Sequence, residues 1–136
     1  MLPTIEWKDD AVVMIDQRKL PTAEIYVTCK TAKDVAKAIK TMVIRGAPAI
    51  GVAAAMGIAL GMRRSTATGT KQFVTEFQRV CDLMAATRPT AVNLFWAIDR
   101  MKKTFAEAAQ RGLSVAELQV RLEDEARAIH DEDVQS

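Results

Sequence analysis

Hydrophobic positions in the first thirty residues alternate with polar ones, which is typical of half-buried strands. Residues 24–29 follow this pattern and residues 4–7 follow it in part, whereas residues 11–15 form an apolar run of strand-forming residue types. The pairs Asp9-Asp10 and Pro21-Thr22 interrupt them with turn-forming residues. We therefore predict three short strands joined by tight turns, forming a small antiparallel β meander over residues 1–30.

From residue 31 onwards, hydrophobic positions recur every three or four residues, the period of an amphipathic helix. Thr31 and Asp34 resemble a capping pair for a first helix whose apolar positions continue to Val43. Further helices are predicted from Pro48 to about residue 63, over 71–86, from about 91, and after the capping box at 114–117. Gly112 is placed to end the fourth helix.

The predicted fold is therefore α+β and mostly α. A β meander (residues 1–30) precedes about five helices (residues 31–136), and the length suits one domain. The second predicted helix is apolar on all sides, but it is shorter than the roughly 20 residues that a bilayer span needs. We expect a buried core helix in which Gly57 and Gly61 allow close packing, with no membrane partner and no signal peptide.

Composition narrows the possible partners. The formal net charge is only +2, and the basic residues form no run, so nucleic acid is not an expected partner. Cys29 and Cys81 lack metal-ligand spacing, and His130 is the one histidine, so a zinc site is not predicted. Reduced, buried thiols and a cytoplasmic location are expected, with His130 exposed in a polar tail.

Two segments have the composition of an anion site. In the first, Arg45 and Gly46 precede the small residue Ala47 at a predicted helix start, where unpaired backbone N–H groups carry partial positive charge. In the second, Arg88 precedes Pro89 and Thr90, and Thr90 is predicted to cap the next helix. A guanidinium beside a helix start suits a phosphate group.

Each segment also has a plainer explanation. An arginine before a helix is often a solvated loop residue or a structural salt-bridge partner. Arg45 and Arg88 bind one anion only if the two helix starts lie side by side, which periodicity does not decide. The residues alone therefore predict a small α+β domain with a possible anion site and no catalytic residue.

Taken together, the two segments resemble the signature of the methylthioribose-1-phosphate isomerases. The matching stretches are Ile-Arg-Gly-Ala-Pro-Ala-Ile-Gly at 44–51 and Thr-Arg-Pro-Thr-Ala-Val-Asn-Leu at 87–94. The opening Ile-Glu-Trp, the stretch Ile-Asp-Gln-Arg-Lys-Leu-Pro at 15–21 and residues 95–101 extend the similarity over nearly the whole chain.

The resemblance implies an aldose–ketose isomerase that converts 5-methylthioribose 1-phosphate to 5-methylthioribulose 1-phosphate in methionine salvage, as a homodimer without a cofactor. It also implies that Arg45, Gly46, Ala47 and Arg88 bind the substrate, chiefly its phosphate. Family members are longer, with a Rossmann-like C-terminal domain that carries the catalytic cysteine and aspartate. This chain is therefore expected to be an N-terminal domain, inactive alone.

Two alternatives remain open at this point. Regulatory subunits of translation initiation factor 2B share the family's fold without catalysis, and ribose-1,5-bisphosphate isomerases act on a different sugar phosphate. The arginine-led segments favour an isomerase over a regulatory subunit, and the ribose-1,5-bisphosphate isomerase stays open as a third option.

Overall fold

The β meander and the helices are both present in a computed structural model, which describes residues 4–44 and 46–135, without the side chains of 134 and 135. Strands β1 (Ile5–Lys8), β2 (Ala11–Ile15) and β3 (Tyr26–Cys29) form one antiparallel sheet in that order. The helices are α1 (Ala32–Lys40), α2 (Ala47–Arg63), α3 (Thr70–Ala85), α4 (Val92–Gln110) and α5 (Val115–Gln135). The predicted α+β class is confirmed.

Helix α2 is the centre of the core. It is buried on all sides from Ile50 to Leu60 and contacts each of the other four helices as well as β1 and β2. A helix that is apolar all round is stable in water only if neighbours enclose it. Within the part of the chain that the structure describes, no helix has both the length and the apolar character needed to cross a bilayer.

Glycines on α2 set how closely its neighbours approach. A Cβ atom built on Gly57 would lie 2.8 Å from both Val35 of α1 and Met84 of α3, and one on Gly61 would lie 3.0 Å from Ala32. These contacts confirm the packing role predicted for Gly57 and Gly61. They also give the directions of two helices, because residues later in α2 meet residues earlier in α1 and α3. Both helices therefore run antiparallel to α2.

One face of the sheet packs against the helical core. Val12, Met14 and Cys29 are fully buried on this face, while the alternate residues of β2 and β3 are half-buried or exposed.

The end of α5 supports the edge strand β1, because His130 donates from Nε2 to the Ile5 carbonyl oxygen at 2.8 Å. The expectation that His130 is exposed is therefore wrong: its side chain is only 20% exposed. Its polar neighbours in sequence concealed this long-range contact.

Helix α1 ends earlier than its apolar pattern predicts. Val43 is buried, as a helical pattern requires, but the helix stops at Lys40. The Val43 N–H bonds the Ala38 carbonyl at 2.9 Å, the Met42 N–H bonds the Ile39 carbonyl, and Met42 has a φ of 67°. These features define a Schellman motif with methionine at the left-handed position that usually holds glycine. Val43 and Ile44 are therefore buried from a loop, whereas Met42 is exposed.

Three other helix signals, two capping pairs and one terminator, are confirmed. The Asp34 N–H bonds the Thr31 hydroxyl, and Ser114 and Glu117 exchange both bonds of a capping box, at 2.9 and 3.2 Å. The bond from the Ser114 N–H lowers the pKa of Glu117, because the ionised carboxylate accepts it. Gly112 has a φ of 77° directly after α4, as its predicted role in ending that helix requires.

We expect Gly57→Ala to lower the free energy of unfolding by about 1–3 kcal/mol, because the new methyl group overpacks the contact between α1 and α2. The matched control is Gly69→Ser, since a side chain at Gly69 meets open space at the start of α3. A hydroxyl there can cap the helix, so its effect should be small and stabilising. Urea unfolding of both variants measures the difference; equal stabilities would contradict this account of α2 packing.

Candidate functional site

The starts of α2 and α4 lie side by side at one end of the helical bundle. A Cβ atom built on Gly51 would lie 3.0 Å from the Asn93 carbonyl oxygen and 3.7 Å from Ala97. The end of α5 meets the starts of α2 and α4, whereas its early residues Gln119 and Arg121 meet the ends of these two helices, so α4 runs parallel to α2. Parallel neighbours bring two positive helix-dipole ends together. The juxtaposition that sequence periodicity left open is therefore present for the two helix starts.

Neither helix start is capped by its own sequence. The N-cap residues are Gly46 for α2 and Ala91 for α4; neither supplies a side-chain hydrogen bond, and neither first turn holds an acidic residue. Helix α3 also begins without a side-chain cap, at Gly69, but it runs antiparallel and so begins at the other end of the bundle. Unpaired N–H groups from two helices therefore face the same region.

The expected cap at Thr90 is not formed. The Ala91 N–H bonds the Arg88 carbonyl oxygen at 3.0 Å, which closes a turn across Pro89 and Thr90. This turn makes Ala91 the N-cap residue, in an extended conformation, and leaves Thr90 exposed one position too early. A loop that bends directly into the helix therefore replaces the capping that the hydroxyl suggested.

Arg88 lies in this turn and has an unsatisfied group. Its side chain is half-buried, and its Nη1 atom is buried with no hydrogen-bond partner. Most buried polar groups are paired, because an unpaired donor loses its hydration without compensation. Arg88 lies three residues before Ala91, the N-cap of α4, so this donor belongs to the turn that leads into one of the two uncapped helix starts. An anion bound at these helix starts would be the natural partner for Nη1.

The other residues predicted to bind substrate lie at the start of α2, with one exception. Arg45 lies outside the described residues. Gly46 and Ala47 are exposed as the N-cap and first residues of α2. Gly46 has a φ of −68°, which any residue adopts, so no special backbone conformation explains it. A Cβ atom on Gly46 would meet open space, and that surface is accessible to a ligand.

Acidic and aromatic residues adjoin the same helix starts, which the sequence interpretation did not include. A cavity of about 170 Å³ separates the starts of α2 and α4 from the end of α5. Its lining residues are Pro48, Gly51, Val52, Asn93, Trp96, Ile129, Glu132 and Asp133. Arg100 donates to Glu132 at 2.7 Å, and this bond lowers the pKa of the Glu132 carboxyl. The sequence signal for this cavity was that Asn93 and Trp96 lie three residues apart, which places them on the same face of α4.

A larger concavity, of about 920 Å³, lies on the outer face of the sheet. Val13, Tyr26 and Thr28 are among its lining residues, and its rim mixes both charges, including Glu6 and Lys8. Arg64, which follows the last residue of α2, also lines it. The concavity is therefore far from the helix starts and has no excess of positive charge to select an anion.

Comparisons with known proteins agree with this geometry. A model of the Initiation factor 2 subunit family matches residues 43–136, which include both helix starts. The chain belongs to the Initiation factor 2 subunit family.

Similar members of this family carry two kinds of name. The methylthioribose-1-phosphate isomerase of Koribacter versatilis (strain Ellin345) is 52% identical over 98% of this chain and 37% of that protein. A crystal structure of 5-methylthioribose 1-phosphate isomerase from Pyrococcus horikoshii OT3 is 42% identical, with a TM-score of 0.93, over 98% of this chain and 37% of that one.

The second kind of name is that of a translation factor. The crystal structure of translation initiation factor eIF-2B, subunit delta, from A. fulgidus is 37% identical, with a TM-score of 0.88, over 98% of this chain and 38% of that one. The predicted resemblance to the isomerases and their initiation-factor relatives is confirmed. The chain spans little more than a third of the length of the relatives it matches.

The described part of this family member offers no evident nucleophile. Cys29 and Cys81 are buried and unbonded, as expected. Burial raises the pKa of Cys29 to about 11 and that of Cys81 to about 12, so both thiols stay protonated near neutral pH. Among the described residues, no group of three or more His, Cys, Asp or Glu side chains could hold a metal ion. The arrangement is suited to binding an anion.

Both thiols should react slowly with a thiol-specific reagent such as a chromogenic disulfide. At pH 8 the raised pKa values reduce the thiolate fraction by about a hundredfold or more relative to the unfolded chain, and burial limits access further. Stopped-flow absorbance with and without denaturant measures the ratio of rates. Rapid reaction of either cysteine in the native chain would show that its thiol is neither buried nor protonated.

Proposed function

We propose that this chain is the substrate-phosphate-binding part of an aldose–ketose isomerase that converts 5-methylthioribose 1-phosphate to 5-methylthioribulose 1-phosphate, in methionine salvage. The observation that carries the proposal is the buried, unpartnered Nη1 of Arg88, in the turn that leads into α4, one of two adjacent helices that begin without a side-chain cap. The names of the isomerases at 52% and 42% identity support the choice of substrate.

The proposed division of labour follows from what the described residues can do. The isomerisation breaks the bond between C1 and the ring oxygen, moves the hydrogen of C2 to C1 and passes the proton of the C2 hydroxyl to the former ring oxygen, which leaves a carbonyl at C2; it therefore needs groups that move protons. Among the described residues, the first turns of α2 and α4 hold no acidic side chain, but Gly46 and Ala47 offer backbone N–H donors, and Arg88 offers a charged one. We assign Arg45 to the same phosphate because it precedes Gly46 in the sequence. Proton transfer is assigned to a further domain of the full-length protein.

A regulatory subunit related to initiation factor 2B is the second candidate. It is favoured by one observation, the TM-score of 0.88 to the delta subunit from A. fulgidus. In such a subunit the anion site binds its ligand, and no reaction follows.

We further propose that the full-length protein is cytoplasmic and homodimeric, and that it uses no metal or organic cofactor.

Arg88→Met should weaken phosphate binding without weakening the fold. The apolar stem is kept, whereas the charge and the unpaired donor are removed, so the free energy of unfolding should stay equal or rise slightly. Charge-assisted contacts contribute roughly 1.5–3 kcal/mol, so the dissociation constant for inorganic phosphate should rise about tenfold to a hundredfold. NMR titration of the chain measures the affinity, and thermal unfolding measures the stability.

Arg79→Met is the matched control, since Arg79 is exposed on α3 next to Val80, which packs at the far end of α2. It removes the same charge from the opposite end of the bundle, so it tests whether net charge alone explains the effect. Equal loss of phosphate affinity in both variants, or none in Arg88→Met, would contradict the assignment of Arg88.

Arg45→Ala in the full-length enzyme should raise KM for 5-methylthioribose 1-phosphate, because it removes a charge-assisted contact of roughly 1.5–3 kcal/mol. Steady-state kinetics on the purified isomerase give KM and kcat separately. The chain of 136 residues alone should show no turnover. An unchanged KM would exclude Arg45 from the phosphate site, and turnover by the chain alone would overturn the division of labour.

A further inference from the structure

Asp16, at the end of β2, is a buried charge outside the proposed site. It is 2% exposed, and Thr104 is the other buried polar residue in the described part of the chain. Burying a carboxylate is costly unless it is paired and hydrogen-bonded. Arg18, two residues later, donates three hydrogen bonds to its side chain.

Arg18 binds the carboxylate in three ways. Its backbone N–H and Nε both donate to Oδ1, at 3.0 and 2.9 Å, and its Nη2 donates to Oδ2 at 2.7 Å. The side-chain bond from Arg18 lowers the pKa of Asp16, so the carboxylate is ionised at neutral pH. The backbone bond closes an Asx turn, which fixes the backbone of the residue between them.

That intervening residue is Gln17, and its backbone reaches the loop before α2. The Gln17 N–H donates to the Val43 carbonyl oxygen at 2.9 Å. Val43 is also held from the other side, by its own N–H on the Ala38 carbonyl at the end of α1. The chain then reaches Gly46, the N-cap of α2, three residues later. The Asx turn therefore holds the backbone of Val43 from one side, while the end of α1 holds it from the other, three residues before the N-cap of α2.

Stability alone gives little reason for an ion pair here. The Arg18 side chain is 44% exposed, and ion pairs that remain in contact with solvent contribute little to stability because water and salt screen them. The Asp16–Arg18 pair links no two secondary-structure elements through its side chains, since both partners lie in one loop. Its effect on the rest of the molecule passes through the orientation of the Gln17 N–H.

We propose that Asp16, bound by Arg18, is a positioning residue for the phosphate site: its Asx turn aims the Gln17 N–H at Val43 and so fixes the loop that leads into α2. This inference rests on the proposed function, because it concerns the placement of the same site. Neither Asp16 nor Arg18 needs to touch the ligand.

The test compares Asp16→Ala with Asp16→Asn in the chain of 136 residues, using inorganic phosphate as the probe in an NMR titration. Alanine removes the Asx turn, whereas asparagine keeps an oxygen that can accept the Arg18 N–H. A misplacement on the order of 1 Å can cost about a hundredfold, so we expect about a tenfold loss of affinity in Asp16→Ala. Asp16→Asn should stay within about threefold of the parent, as the conservative variant that restores the turn.

Amide hydrogen exchange adds a readout that is independent of the ligand. Without phosphate, the amides of Gln17 and Val43 should exchange faster in Asp16→Ala than in Asp16→Asn, while those of α3 stay unchanged. Cys81→Ala, a buried substitution in α3, is the control for general destabilisation and should leave the phosphate affinity unchanged.

The possible outcomes separate this inference from the proposed function. Affinity within twofold of the parent in Asp16→Ala, equal loss in Asp16→Ala and Asp16→Asn, or equal loss in Cys81→Ala would each overturn the positioning role. If Arg88→Met abolishes binding at the same time, the proposed function stands without it. If the parent chain binds no phosphate, the proposed function fails and this inference fails with it.

Discussion

The enclosure of α2 on every side is the constraint on which the rest of the structure depends. Its apolar residues leave no face for water, so the sheet and four helices must cover it. Small residues make this possible, because Gly57 and Gly61 let α1 and α3 approach to distances that a Cβ atom would forbid. Once α2 is enclosed, only its two ends are free to present chemistry.

The direction of α4 decides which end does so. Helices α1 and α3 run antiparallel to α2, which places opposite dipole ends together and is favourable. Helix α4 runs parallel, so two positive ends meet without a capping side chain at Gly46 or Ala91. An anion relieves this arrangement, and part of the compensation is internal, since the acidic residue Glu132 of α5 lies in the adjoining cavity. Arg100 already binds the Glu132 carboxylate and offsets its negative charge, so the two helix starts can still attract an anionic ligand.

Local signals in the sequence predicted most of the fold. Alternation gave the strands, and the capping residues Ser114 and Glu117 and the terminator Gly112 act as their residue types require. The errors arose where a contact is long-range or a loop imitates a helix. Val43 keeps the helical spacing but is buried from a Schellman loop, and His130 finds the Ile5 carbonyl across 125 residues. Periodicity contains no information about either.

The candidate site was predictable in its parts, because arginine, glycine and small residues at a helix start have local physical consequences. That the starts of α2 and α4 lie together could not be predicted, because it depends on the direction of packing between Gly51 and Asn93. The Asp16 turn was also hidden, since its contact with Val43 passes through a backbone N–H that any residue at position 17 would supply.

The fold cannot distinguish an isomerase from a regulatory subunit, since it superimposes well on both. The TM-scores of 0.93 and 0.88 fall in the same order as the identities of 42% and 37%, so they measure overall divergence. The polar groups at the end of the bundle are more informative. A buried guanidinium nitrogen without a partner costs free energy in a protein that binds nothing there, and that cost is removed when an anion accepts its hydrogen bond. The unpaired Nη1 atom of Arg88 therefore argues for a bound anion, and the overall fold supplies no such argument.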